Sequence, residues 1–143
     1  CRSKRNGYCA VTSNFKVGLI AAAEYGLNPE VHIYNSTSRE MVQSFPMNTT
    51  VKCISMAFSR NGKYPIMVGG VPDFRITIFD IEQNKKLVIP ETQLPCKPDE
   101  FLQIKFNPAN NNEFCILSQT ILYVFEIHQA YDVTERGEQK ILG

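Results

Sequence analysis

Several chemistries are missing from this sequence before any fold is considered. It has two histidines, His32 and His128, and neither has a second His or Cys at metal-ligand spacing. Its five cysteines, Cys1, Cys9, Cys53, Cys96 and Cys115, are odd in number, widely spaced and free of any Cys-x-x-Cys pair, so neither a disulfide framework nor a zinc knuckle is written into them. Gly69-Gly70 lacks the further glycine and Lys-Ser/Thr of a phosphate-binding loop. Ser13, Ser55, Ser59 and Ser118 have no Gly-x-Ser-x-Gly context. The net charge of +1 leaves no broad basic footprint for nucleic acid or a membrane, and Arg2, Lys4 and Arg5 read as a solvated end. No apolar run approaches the ~18 residues of a membrane-spanning helix. No catalytic, cofactor or metal motif is therefore expected, and Cys53 and Cys115, read as small buried hydrophobes in strand-like runs, fit a reducing compartment.

What is present is an ordinary globular balance: 143 residues, 43% hydrophobic and 20% charged, enough for one domain or part of a larger one. The pattern is one of short strands and turns. Tyr8 to Ser13 has strand composition, Asn14-Phe15-Lys16 turns, and the apolar run Val17 to Glu24 is read as a buried strand despite its three alanines. Val31-His32-Ile33-Tyr34 alternates like a half-exposed strand, which points His32 away from Val31 and Ile33 into a solvent-facing or hydrogen-bonded structural role. Glu40 to Phe45 can form a fourth strand. The second unit opens with Cys53 to Phe58, apolar on both parities and so expected to be buried on both faces. Asn61-Gly62 is a hairpin signal, because both residues tolerate positive φ. Tyr64 to Gly69 and Arg75 to Ile81 follow, and Lys86 to Ile89, with its lysine and the following Pro90, has the marks of an edge strand. In the third unit the strands are Phe101 to Phe106, Glu113 to Ser118 and Ile121 to Ile127. His128 to Gln139 reads as a polar loop, with Lys140-Ile141-Leu142 as the last strand.

The units repeat. Val31-His32-Ile33-Tyr34-Asn35 matches Ile76-Thr77-Ile78-Phe79-Asp80 and then Leu122-Tyr123-Val124-Phe125-Glu126, at intervals of 45 and 46 residues. Four short strands per ~40–45 residues is the signature of a β-propeller. A β-sandwich also has short strands, but it does not require self-similarity at this interval. The fold class expected is all-β: a partial propeller of about three four-stranded antiparallel blades, near residues 8–46, 51–90 and 100–142. Each repeated position has a task. Val31, Ile33, Ile76, Ile78, Leu122 and Val124 fill the space between blades. Tyr34, Phe79 and Phe125 cover the blade face. Asn35, Asp80 and Glu126 can turn back on the backbone. Propellers use ~4–8 blades, so residues 1–143 are expected to be part of a longer protein.

Phe58-Ser59-Arg60-Asn61-Gly62-Lys63 resembles the Phe-Ser-Pro-Asp-Gly-Lys turn of WD40 repeats, and Ile76-Thr77-Ile78-Phe79-Asp80 resembles their strand ending in Trp-Asp. The chain departs from that family in having no Trp and no Gly-His, so its blades are expected to rest on packing rather than on the family's hydrogen-bonded tetrad. A narrower resemblance covers about Val17 to Ile127. Ala22-Ala23-Glu24-Tyr25-Gly26-Leu27-Asn28-Pro29, Val71-Pro72-Asp73-Phe74-Arg75 with the strand after it, and Phe101 to Pro108 are similar to the first propeller of large cilia- and flagella-associated WD-repeat proteins. The resemblance implies a longer multi-propeller protein, a non-catalytic interaction scaffold of the axoneme that helps tether or position dynein or neighbouring microtubule-associated complexes. Its partners would be axonemal, dynein-arm or tubulin-associated proteins rather than nucleic acid or membrane, in the cytoplasm and the ciliary cytoskeleton. The alternatives are a cytosolic scaffold in trafficking or coat assembly and, further off, a propeller enzyme with carboxylates, His or metal ligands around the central channel.

Overall fold

Among the described residues, twelve β-strands fall into three sheets of four, and each sheet uses four consecutive strands. The computed structural model describes residues 7–14, 16–26, 28–47, 53–71, 74–128 and 133–140; Glu91, Arg136, Gln139 and Lys140 are described by their backbone alone. The first sheet holds β1 (Tyr8–Asn14), β2 (Leu19–Glu24), β3 (Glu30–Asn35) and β4 (Met41–Pro46). The second holds β5 (Cys53–Phe58), β6 (Pro65–Gly69), β7 (Ile76–Asp80) and β8 (Lys85–Ile89). After a short 3₁₀ turn at Glu91–Gln93 the third holds β9 (Phe101–Asn107), β10 (Asn110–Ser118), β11 (Ile121–Ile127) and β12 (Val133–Lys140). Every pairing is antiparallel between neighbours in sequence. The inner strand β5 lies against β1 on one side and β9 on the other, so the sheets succeed one another around a common axis as blades.

The side-chain period of two divides each blade's residues between its two neighbours. Ala21, Ala23, Val31, Ile33 and Phe45 of the first blade meet Cys53, Met67 and Phe79 of the second. Small alanines on β2 let the larger side chains of the next blade approach. The Phe45 and Phe79 rings stack across this interface, centroids 3.8 Å apart and 11° from parallel. Ile66, Val68, Ile76 and Ile78 of the second blade then meet Ile104, Phe114, Ile116, Tyr123 and Phe125 of the third. The repeated aliphatic pair thus faces the following blade and the repeated aromatic faces the preceding one. Leu122 and Val124, at the aliphatic positions of the third blade, are half-buried on its far face.

The turns follow from individual residues. Gly62 sits at φ +75° and its amide donates to Ser59 O, while Asn61 Oδ1 accepts from Ser59 Oγ and from the Lys63 amide. Only Gly62 of the Asn61-Gly62 pair takes a positive φ. Asn35 Oδ1 accepts from the amides of Thr37 and Ser38, and Asp80 Oδ1 from that of Gln83, the expected turning-back. At the matching position of the third blade Glu126 lies within β11, which continues through Ile127.

Three readings of the sequence need correction. Val31, His32, Ile33 and Tyr34 are all buried rather than alternately exposed, because His32 and Tyr34 find polar partners on their own face. The Cys53 to Phe58 strand is not buried on both faces: it is the innermost of its blade, and Ile54 is 41% exposed. The loop read over 128–139 contains β12, a strand rich in charged and polar residues whose described side chains are largely exposed, so no apolar alternation marks it. Ile141 and Leu142, read as strand, lie outside the described residues, as do Phe15, Leu27 and Pro72-Asp73 of the expected turns.

Candidate functional site

The inner strands of a propeller surround its channel, and three segments of that wall are in place. A cleft of about 300 Å³ runs across β1, β5 and β9, bounded by Thr12, Ser13, Met56, Gln103 and Lys105 among others. Among the described residues, Lys105 is the one ionisable side chain on its walls. Cys9 and Cys53 stand near this wall but point into the blades: Cys9 Sγ accepts from the Cys53 amide at 3.3 Å, and Cys53 Sγ donates to Ser55 O at 3.1 Å. Burial pushes the Cys53 thiol up to about 12, and the Cys96 thiol to about 11. Both sulfurs behave as packed, protonated groups.

The turns between the first and second strands of each blade meet edge to edge. Asn14 Nδ2 donates to Ser59 O at 2.7 Å and to Arg60 O at 2.8 Å, while its Oδ1 accepts from the amides of Lys16 and Val17. The Asn61 amide donates to Asn111 Oδ1 at 2.9 Å, and Arg60 Nη1 reaches Pro108 O. Each turn is thereby held by its neighbour rather than by its own hairpin alone. Asn61 and Gly62, singled out in the sequence, belong to this rim. Phe58 lies half-buried just before it, packed against the first interface. Lys63 Nζ stands 3.8 Å from buried Asp80 Oδ2 and over the Tyr64 ring, tying the rim to the end of β7.

A third feature was not assembled by the sequence reading. On the face of the first blade away from the second, Tyr8, Glu24, Glu30, His32 and Tyr34 converge. The hairpin register brings them there: Ala22 pairs with His32 and Ala23 with Val31, which sets Glu24 opposite Glu30, while Tyr8 pairs with Glu24 from β1. His32 Nδ1 is 2.9 Å from Tyr8 Oη and 3.3 Å from Tyr34 Oη, and the two hydroxyls are 2.7 Å apart. Glu24 Oε1 accepts from the Glu30 amide at 3.1 Å. Both rings stand edge-on to the imidazole. Burial raises the Tyr8 phenol above its ordinary value, and its hydrogen bond to Tyr34 and the charges of Tyr34 and Glu24 act in the same direction. The first blade thus carries a hydrogen-bonded polar cluster where packing alone was expected. His32 is a buried, hydrogen-bonded residue, one of the two roles its alternation allowed.

The corresponding positions in the other blades are different. Thr77 takes the place of His32 and donates to Met47 O at 2.9 Å, deep in the first interface. Tyr123 takes it in the third blade, within the apolar second interface. His128 is exposed and hydrogen-bonded to Thr134. At the far face of the third blade, Lys105, Cys115, Leu122 and Val124 bound a shallow, mainly apolar groove of about 330 Å³. Among the repeat positions, Val31, Ile33, Ile76, Ile78, Phe79 and Phe125 lie in the two interfaces, Tyr34 joins the histidine cluster, and Leu122 and Val124 line this groove.

No protein-family model matches the chain. No curated protein matches it either. Solved structures do. The β-propeller domain of Cps50 (Swd1) from Myceliophteria thermophila superposes with a TM-score of 0.67 at 14% identity, over 90% of this chain and 36% of that one. Hsv2 from Kluyvelomyces marxianus gives a TM-score of 0.73 at 11% identity, over 96% of this chain and 48% of that one. The WD40 repeats of RRP9 give 0.69 at 14% identity, over 99% of this chain and 40% of that one. The chain spans less than half the length of each. Its fold is that of part of a WD40-type β-propeller, in three successive four-stranded blades.

Proposed function

We propose that this chain is part of a rigid, non-catalytic propeller that binds other proteins through its turn rim and blade edges. The observation that carries the proposal is the clasped rim. Asn14, Arg60, Asn61 and Asn111 fix neighbouring turns to one another, so the rim offers a preformed surface that loses little conformational freedom on binding. The inner cleft, with Lys105 as the one ionisable wall residue among the described residues, offers poor material for acid–base work. We further propose that the protein works in the ciliary or flagellar axoneme, helping to tether or position dynein or neighbouring microtubule-associated complexes. What supports this reading is the resemblance over Ala22 to Pro29, Val71 to Asp80 and Phe101 to Pro108.

The test is fractionation of ciliated cells carrying the tagged full-length protein. It is expected to remain with detergent-extracted axonemes and to leave with a dynein-arm or tubulin-associated subset on salt extraction. Recovery in the soluble cytosol together with vesicle-coat subunits would overturn the axonemal role and favour a trafficking scaffold. A catalytic turnover traced to the inner cleft would overturn the scaffold itself.

A further inference from the structure

We propose that Glu24, Glu30 and His32 bind one divalent transition-metal ion, zinc by the chemistry of the donors. The proposal stands on the geometry of the first blade and does not depend on the scaffold reading.

One donor atom from each residue lies within 4.8 Å of the other two. His32 Nε2 faces Glu24 Oε2 at 3.8 Å and Glu30 Oε2 at 3.9 Å. These distances are too long for hydrogen bonds, yet the imidazole is 2% exposed and aimed between the carboxylates. Its other nitrogen is held by Tyr8 Oη. The ring is buried, one nitrogen is engaged by a phenol, and the other stands within ion-pair distance of two carboxylates but beyond hydrogen-bond range of either.

A metal ion accounts for it. Zinc binds imidazole nitrogen and carboxylate oxygen at about 2.0–2.2 Å, which sets tetrahedral donors ~3.4 Å apart. Closing the two gaps to His32 takes side-chain shifts of about half an ångström or less, and drawing the Glu24 and Glu30 oxygens together from within 4.8 Å takes up to about 1.4 Å shared between them. The surrounding bonds suit a ligated ring. With the proton on Nδ1, His32 donates to Tyr8 Oη, Tyr8 donates to Tyr34 Oη, and Nε2 presents its lone pair to the ion. Glu24 is oriented by the Glu30 amide. Two carboxylates balance the charge of a divalent ion, and water completes the fourth position. The imidazole favours zinc and its neighbours in the first transition row over magnesium or calcium.

The test uses the full-length protein stripped with a chelator and titrated with zinc chloride against a chromophoric competitor. One equivalent per chain is expected with a dissociation constant of about a micromolar or tighter, with no response to magnesium. Cobalt substitution is expected to give the visible absorption of a four-coordinate site. Glu30 lies toward the surface with 41% of its side chain exposed, so Glu30→Gln leaves the fold in place and is expected to weaken zinc at least about tenfold. Tyr8→Phe removes no ligand and is expected to weaken zinc by about 10–100-fold through the lost support of His32. Wild-type protein that takes up no zinc in this range would overturn the proposal and leave His32 a structural residue beside the two carboxylates. Zinc bound equally well by Glu30→Gln and His32→Gln would place the ion elsewhere and overturn it too.

Discussion

Replacing Phe79 by alanine tests the blade interface at its most concentrated point. Phe79 is 4% exposed and its ring lies flat on Phe45 of the preceding blade, with Met67 and Val31 in the same cluster. Loss of a buried phenylalanine combines the transfer of its ring to water with the cavity left behind, about 3–5 kcal/mol. Stacking accounts for about 0.5–1.5 kcal/mol of such a pair beyond burial. Phe79→Leu, which keeps most of the volume and loses the stack, is therefore expected to cost about 1 kcal/mol. The assay is hydrogen–deuterium exchange of peptides covering β4 and β7, whose protected amides open when the interface parts. Since about 1.4 kcal/mol is tenfold, Phe79→Ala is expected to lower protection there by about two to three orders of magnitude. A cycle with Phe45→Ala is expected to return the stacking term as a coupling between the two positions. Unchanged protection in Phe79→Ala would mean that the ring does not lie between the blades and that the register of β7 is wrong.

Gly62→Ala should destabilise through two causes: a positive φ that disfavours a side chain, and a Cβ placed 2.5 Å from Val17 Cγ2. A melting-temperature loss that Val17→Ala partly restores supports this, and an unaltered melting temperature would contradict it. The Cys53 thiol, pushed up from about 9 to about 12 by burial, should resist alkylation at pH 8 in the folded protein and react fully once unfolded, as followed by mass spectrometry. Because its folded value is the higher one, the stability it contributes is complete below about pH 9 and is lost as the pH rises toward 12; a Cys53→Ala variant should lack that part of the alkaline decline.

Much of the architecture is legible in the sequence because propeller blades repeat their environments. Val31, Ile76 and Leu122 recur at one spacing because each stands third in its blade on the face turned to the next, where the same aliphatic volume is needed. The turn at Asn61-Gly62 is legible because local backbone chemistry alone decides it. The strand β12 is not, because an outer strand with exposed side chains needs no apolar alternation. The histidine cluster is not legible either. It depends on a phenol 24 residues before His32 and on a hairpin register that no single window of sequence contains. Reading His32 beside its immediate neighbours gives its direction but not the company it keeps. The clasp from Asn14 to the Ser59 and Arg60 carbonyls spans 45 and 46 residues and is hidden for the same reason, although it follows the repeat interval.

The central claim is that β1–β4, β5–β8 and β9–β12 are consecutive blades around one axis with β1, β5 and β9 innermost. An electron cryomicroscopy or crystal structure of the protein containing this chain tests it most directly. The account requires Phe45 stacked on Phe79, Phe74 and Ile76 packed toward the third sheet, and the Asn14 amide on the Ser59 and Arg60 carbonyls. Two of these sheets packed face to face as a sandwich, with β5 away from both β1 and β9, would contradict it.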